Sequence, residues 1–197
     1  MSSIKKYFNE VAGNYNDKSS KGIWALLRRL ESVAVMKAMD PFQGMTCVEL
    51  GCGAGFYANR LASYNPSLLV AVDISENMLG ELNDPRVKKV RANIENIKFK
   101  MVFDRVLCAG AIEFLSDINN FLSSLKKLLS ISGKAVLLIP KNGISGRIYK
   151  AFHRSHSVQV SLYAIDELKN LLDVNHLKIE TVYSPTPMTY VLVVTHD

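Results

Sequence analysis

Cysteine is scarce in this chain: three residues in 197, Cys47, Cys52 and Cys108. An odd number with no C-x-x-C pair argues against a disulfide framework and a cysteine-built zinc site. Free thiols suit a reducing compartment, so a cytoplasmic protein without a metal ion is expected. Six prolines and eleven glycines are too few for a collagen-like or low-complexity array. No apolar run approaches the ~18–20 residues of a membrane-spanning helix. The longest, Ala135 to Pro140, is strand-sized. The residues after Met1 lack the apolar core of a signal peptide, and no repeat recurs at a period of ~20–50 residues.

What is present is a globular composition, 48% hydrophobic and 21% charged, which excludes a disordered chain. A chain of this length is expected to form one domain, 1–197, and to bury roughly 70% of its extended surface. Lys and Arg number 24 against 18 Asp and Glu, a net charge of +6 that permits an anionic partner without naming one.

Residues 1–40 read as a helical cap. Ile4, Tyr7, Phe8, Val11 and Tyr15 recur at helical spacing, as do Ile23, Leu26, Leu27, Leu30 and Ala34. From Thr46 the pattern changes to short apolar runs at 46–50, 68–72, 87–91, 102–108 and 134–139. Helical patterns alternate with them. Ser75 caps one, and Ser116 or Asp117 caps another whose inward face is Phe121, Leu122, Leu125, Leu128 and Leu129. Such alternation predicts a parallel sheet covered by helices on both faces. Past Pro140 a basic segment, 141–165, precedes a helix near Asp166–Leu172 and strands at 177–183 and 189–195. The short turn Ser184 to Pro187 cannot hold a crossover, so the last strand must run antiparallel. The expected fold class is α/β: a seven-stranded Rossmann-like sheet, mostly parallel with an antiparallel last strand, plus the N-terminal helical cap. Residues 41–140 would form the cofactor-binding core, and 166–197 the final helix and hairpin.

Open α/β sheets bind ligands at the carboxyl ends of their strands. Gly51, Gly53 and Gly55 follow the first strand there, and Glu49 precedes them by two residues. A carboxylate at this place repels the pyrophosphate of a dinucleotide and attracts the ammonium and sulfonium of S-adenosylmethionine. The third glycine of the dinucleotide fingerprint is replaced by Phe56, and no Gly-Lys-Ser/Thr follows, which excludes a P-loop. Asp73 ends the second strand about 20 residues on, where a carboxylate accepts hydrogen bonds from a ribose diol. Ile74 and Met78 follow and are suited to an adenine face.

The stretches Val48-Glu49-Leu50-Gly51-Cys52-Gly53-Ala54-Gly55-Phe56, Val72-Asp73-Ile74-Ser75-Glu76-Asn77-Met78-Leu79 and Phe103-Asp104-Arg105-Val106-Leu107-Cys108, with Leu129 to Pro140, resemble the class I S-adenosylmethionine-dependent methyltransferase family. The likeness runs from about Tyr7 to the C-terminal hairpin, in the style of the quinone-biosynthesis enzymes. A fainter likeness to the magnesium-protoporphyrin methyltransferases lies around Phe152 to Tyr163. The resemblance implies that Glu49, Gly51, Cys52, Gly53 and Gly55 surround the methionine end and that Asp73 holds the ribose. It implies that Asn93, Ile94 and Glu95 meet the adenine edge, with Asn93 where relatives often carry Asp; its carbonyl still accepts a hydrogen bond. Cys108, Ala109 and Gly110 would line the sulfonium with backbone carbonyls. Tyr15, ahead of Tyr7, would close over the cofactor.

In-line methyl transfer depends chiefly on alignment and loss of solvent, so no catalytic triad is expected. A phenol or amine acceptor would gain from a general base. Candidates are Glu113, just past the fourth strand, and His153, His156 and Tyr163 downstream. Each also has a structural reading: Glu113 as a solvated first-turn acid, the histidines as exposed loop residues, and Tyr163 as packing at a helix start. Lys141, Arg147, Lys150 and Arg154 occur in a segment without acidic residues. This segment would attract an anionic acceptor, a carrier-bound one or a membrane surface, or serve as a solvated cover. The fourth strand ends Cys108-Ala109-Gly110-Ala111, without the Asn/Asp-Pro-Pro-aromatic sequence of adenine- or glutamine-modifying enzymes, which argues against nucleic acid. The leading expectation is a methyltransferase with a small-molecule acceptor, S-adenosyl-L-methionine being converted to S-adenosyl-L-homocysteine. The alternatives are a non-catalytic S-adenosylmethionine-binding protein and a nicotinamide oxidoreductase.

Overall fold

The computed structural model describes residues 5–10, 22–155 and 158–197. The apolar runs form strands β1 (Thr46–Leu50), β2 (Leu68–Asp73), β3 (Val87–Arg91), β4 (Phe103–Ala109), β5 (Leu129–Pro140), β6 (Leu177–Thr186) and β7 (Thr189–His196). Helices are α1 (residues 5–10), α2 (Gly22–Met39), α3 (Phe56–Ala62), α4 (Glu76–Glu81), α5 (Ile118–Leu128), α6 (Ile144–Ser155) and α7 (Ile165–Val174). One seven-stranded sheet has the order β3-β2-β1-β4-β5-β7-β6. β1 pairs in parallel with β2 on one side and β4 on the other. The strand order therefore reverses between β1 and β4, and a ligand crevice forms at such a switch point. β7 lies antiparallel between β5 and β6, as the short turn requires.

Strand residues alternate between two cores. Val48, Val106, Cys108 and Leu137 pack with Phe121, Leu125, Leu168 and Leu172 of α5 and α7. Cys47, Leu107 and Val136 pack on the opposite face with Val35, Met39, Tyr57 and Leu61 of α2 and α3. The caps read from the sequence are made: the Ser75 hydroxyl accepts from the Met78 N–H, and the Asp117 carboxylate from that of Asn120. Buried Arg105 ties the sheet to the end of α2, donating to the main-chain carbonyls of Met39 and Asp40.

Three expectations are corrected. The fifth strand does not begin at 134, after Ser132 and Gly133. The strand starts at Leu129 and passes these residues in a bulge, where the register jumps from Phe103↔Leu129 to Arg105↔Lys134. The basic segment 141–165 contains a twelve-residue helix, α6. The helical spacing through Leu26 and Leu30 of α2 does not mark a buried face, since both are exposed. That helix packs through its C-terminal half, at Val35, Ala38 and Met39.

Candidate functional site

At the end of β1 the chain turns through Gly51 to Gly55. The Gly51 and Cys52 N–H groups donate to the Val72 carbonyl at 2.8 and 2.9 Å, fastening the loop to β2. Gly51 has φ 74°, and a Cβ there would stand 2.5 Å from that of Ala111, so only glycine fits. Asp73 completes the frame. Its Oδ2 accepts from Gly53 N–H and its Oδ1 from Ser75 N–H, each at 2.8 Å. The sequence reading gave Asp73 a ribose alone, whereas the structure shows that it also braces the glycine loop. Burial raises its carboxyl pKa, and the N–H groups of Ser75, Gly53 and Ile74 oppose that rise.

Beside this loop lies a cavity of about 240 Å³. Glu49, Gly51, Cys52, Gly53, Asp73, Ile74, Met78, Asn93, Ile94, Glu95, Ala109 and Gly110, all read from the sequence as cofactor-binding, line it. Gly55 and Cys108 lie behind the wall. Gly55 is needed for packing, since a Cβ there would stand 2.4 Å from Leu82 Cδ1. Cys108 points into the α5 core because strand neighbours face opposite ways. Tyr15 and His156 fall outside the described residues.

Glu49 is the electrostatic centre of the wall. It is 2% exposed, and its Oε2 has no hydrogen-bond partner among the described residues. Burial, with the nearby Asp73 charge, lifts its pKa to about 8 against a backbone bond from Ala58. Two other polar side chains of the wall are used locally. The Asn93 carbonyl accepts from Glu95 N–H at 3.0 Å instead of standing free for a ligand, and Glu95 clamps Ser116 through both its N–H and its hydroxyl.

Of the candidate bases, Glu113 is the notable correction. It sits in a single 3-10 turn, Ile112–Phe114, and is 3% exposed, not solvated. Its Oε2 has no hydrogen-bond partner among the described residues, and the Tyr149 hydroxyl donates to Oε1 at 3.3 Å. Burial pushes its pKa to about 7. Oε1 lies 3.9 Å from where a Gly110 Cβ would be, so the carboxyl stands directly behind the cavity wall. His153 is likewise buried, on α6, with its ring 5.4 Å from Phe114 and 4.4 Å from Tyr149. Tyr163 packs into the core cluster with Leu168 and Leu172.

Arg28, Phe8, Phe56 and Phe114 also line the cavity, and sequence reading did not assign them. The Phe56 ring is sandwiched between the guanidiniums of Arg28 and Arg60, at 3.7 and 3.6 Å from its centroid. Phe56 entered the sequence reading only as a missing glycine, and nothing local marks Arg28, which arrives from α2. Phe8 of α1 meets Phe114 at 5.2 Å and packs on Met78 and Ala54, bringing the N-terminal helix to the cavity. Burial pushes the thiol pKa values of Cys47, Cys52 and Cys108 up, so none is a ready thiolate.

The stretch that carries this frame, residues 48–137, matches the family described as "Methyltransferase domain". That match covers a little under half of the chain. The tRNA U34 carboxymethyltransferase of Haemophilus influenzae is 28% identical over 111 residues, 52% of this chain and 35% of that protein. The ubiquinone biosynthesis O-methyltransferase of Rickettsia typhi is 22% identical over 153 residues, 70% of this chain and 61% of that one. The chain thus spans about a third of the first relatives' length and less than two thirds of the second's. Among solved structures, magnesium protoporphyrin IX methyltransferase from Synechocystis PCC 6803 with bound SAH superposes with a TM-score of 0.76 at 15% identity. It covers 98% of either chain. The shared fold therefore continues past residue 137, through α6 and the final hairpin.

Proposed function

We propose that the chain is an S-adenosylmethionine-dependent methyltransferase acting on a small-molecule acceptor. One observation carries the reading. A single cavity presents the orphaned Glu49 carboxyl oxygen, the Arg28 guanidinium, the Asp73 carboxylate and an apolar slot of Ile74, Met78 and Ile94. These complement, in turn, the ammonium and carboxylate of a methionine moiety, a ribose diol and a purine face. Glu49 in the wall gives a pyrophosphate neither a cation nor an N–H donor, and its carboxylate form would repel one, which weighs against the oxidoreductase reading.

When bound, S-adenosylmethionine supplies a methyl group on a sulfonium and leaves as S-adenosylhomocysteine. The protein's part is to align and to exclude water. Phe8, Phe56 and Phe114 shield the cavity, while the glycine loop fixes the polar end. Glu113, behind Gly110, is suited to hold the acceptor's proton near neutral pH. The experiment is incubation of cell extract with the protein and donor carrying an isotopically labelled methyl group. A small-molecule product heavier by one labelled methyl is expected. Glu113→Gln is expected to slow its formation about 100-fold and to remove an acidic limb near pH 7 from the rate profile. Absence of any labelled product overturns the reading, and an unchanged profile removes Glu113 from it. An RNA acceptor is the second reading, favoured by the likeness to the tRNA enzyme and the charge of +6. Label appearing in RNA instead would select it.

A further inference from the structure

α6 is built inside out. At ~100° per residue, Gly146, Tyr149 and His153 share one side of the helix, and this is its inward side. A Cβ on Gly146 would lie 2.0 Å from the Lys141 carbonyl oxygen, Tyr149 reaches Glu113, and the His153 ring meets Phe114. The outward side is divided in two. Ile144, Ile148 and Phe152, at i, i+4 and i+8, form an apolar stripe 81%, 67% and 58% exposed. Arg147, Lys150 and Arg154 form an exposed cationic row beside it. No acidic residue occurs from Lys141 to Ile165.

We propose that α6 is a peripheral docking helix for an anionic lipid bilayer. An apolar stripe alone would suit many partners. A parallel row of cations, undiluted by any carboxylate, selects an anionic one. Two levels along one short helix match the two levels of a membrane interface, with acyl boundary below and head groups above. The contact is peripheral, since no helix among the described residues is long and apolar enough to cross a membrane. Because α6 rests on Phe114, which lines the cavity, docking brings the cavity close to the lipid. The inference stands on this surface and is independent of the proposed activity.

The test is co-sedimentation of the full chain with phosphatidylcholine vesicles, with and without about one third phosphatidylglycerol. Binding is expected to the anionic vesicles alone and to weaken with added salt. The triple change Arg147→Gln, Lys150→Gln, Arg154→Gln is expected to weaken it about 100-fold. Ile144→Ser, Ile148→Ser, Phe152→Ser is expected to weaken it at least about tenfold. All six positions are exposed, and unchanged melting verifies that the variants fold. Leu26→Ser, Val33→Ser, on the exposed face of α2, is expected to bind like wild type. Absent binding, equal binding to neutral vesicles, or equal loss in the α2 variant would overturn the proposal. So would a wild-type dimer that the α6 apolar variant splits into monomers.

Discussion

Replacing Asp73 by alanine is expected to weaken S-adenosylhomocysteine binding by about 100-fold or more in calorimetric titration. Two losses combine. The carboxylate at the end of β2 is suited to accept from both hydroxyls of a ribose, and hydrogen bonds to a charged group contribute about 1.5–3 kcal/mol each. The same carboxylate holds the N–H groups of Gly53 and Ser75, each at 2.8 Å. Without it the glycine loop loses its brace at the place where a ligand must approach the backbone closely. The variant is expected to fold, since β2 remains paired on both sides with β1 and β3. Binding within threefold of wild type would show that Asp73 braces the loop and nothing more.

Glu49→Gln is expected to act in opposite directions on stability and on binding. The Glu49 pKa, raised to about 8 by burial and by Asp73, means that the folded apoprotein holds this proton more tightly than the unfolded chain does. Its stabilising effect is fully present below the ordinary carboxylate pKa and is lost as pH rises through about 8. Glutamine imitates the neutral acid at every pH. Melting of the apoprotein at pH 9 should therefore rise by several degrees, on the order of 10 °C, while melting at pH 5 stays unchanged. Glu113, raised to about 7 by burial, loses its share over a lower window, so the two acids separate along the pH axis. Donor binding behaves the other way. An ammonium placed against Glu49 needs the carboxylate, so wild-type affinity for S-adenosylmethionine should improve about tenfold per pH unit from 6 towards 8. Glu49→Gln should flatten that slope and weaken binding at pH 8 about 100-fold, because a buried charge loses its partner. A variant that binds like wild type, or melts lower at pH 9, would contradict this role.

Much of this site is local in the chain, and that part was legible. The glycine loop follows a continuous apolar strand, Asp73 ends the next, and Ser75 and Asp117 cap within three residues. Even the direction of β7 follows from a turn too short to cross over. The illegible parts depend on contacts between distant segments. α6 hides from a hydrophobic pattern because its inward residues are Gly146, Tyr149 and His153, while its isoleucines face out. Glu113 reads as solvated until Tyr149 and the wall at Gly110 are placed against it. Arg28 acquires a role only when α2 lays it on Phe56.

Central to all of this is a cavity complementary to a cationic nucleoside without phosphates. Calorimetric titration of the wild-type chain at pH 8 with S-adenosylmethionine, S-adenosylhomocysteine and NAD tests it most directly. Saturable binding of the first two at one site per chain, with no heat from NAD, is the predicted result. Saturable binding of NAD, with neither sulfur nucleoside bound, would contradict it.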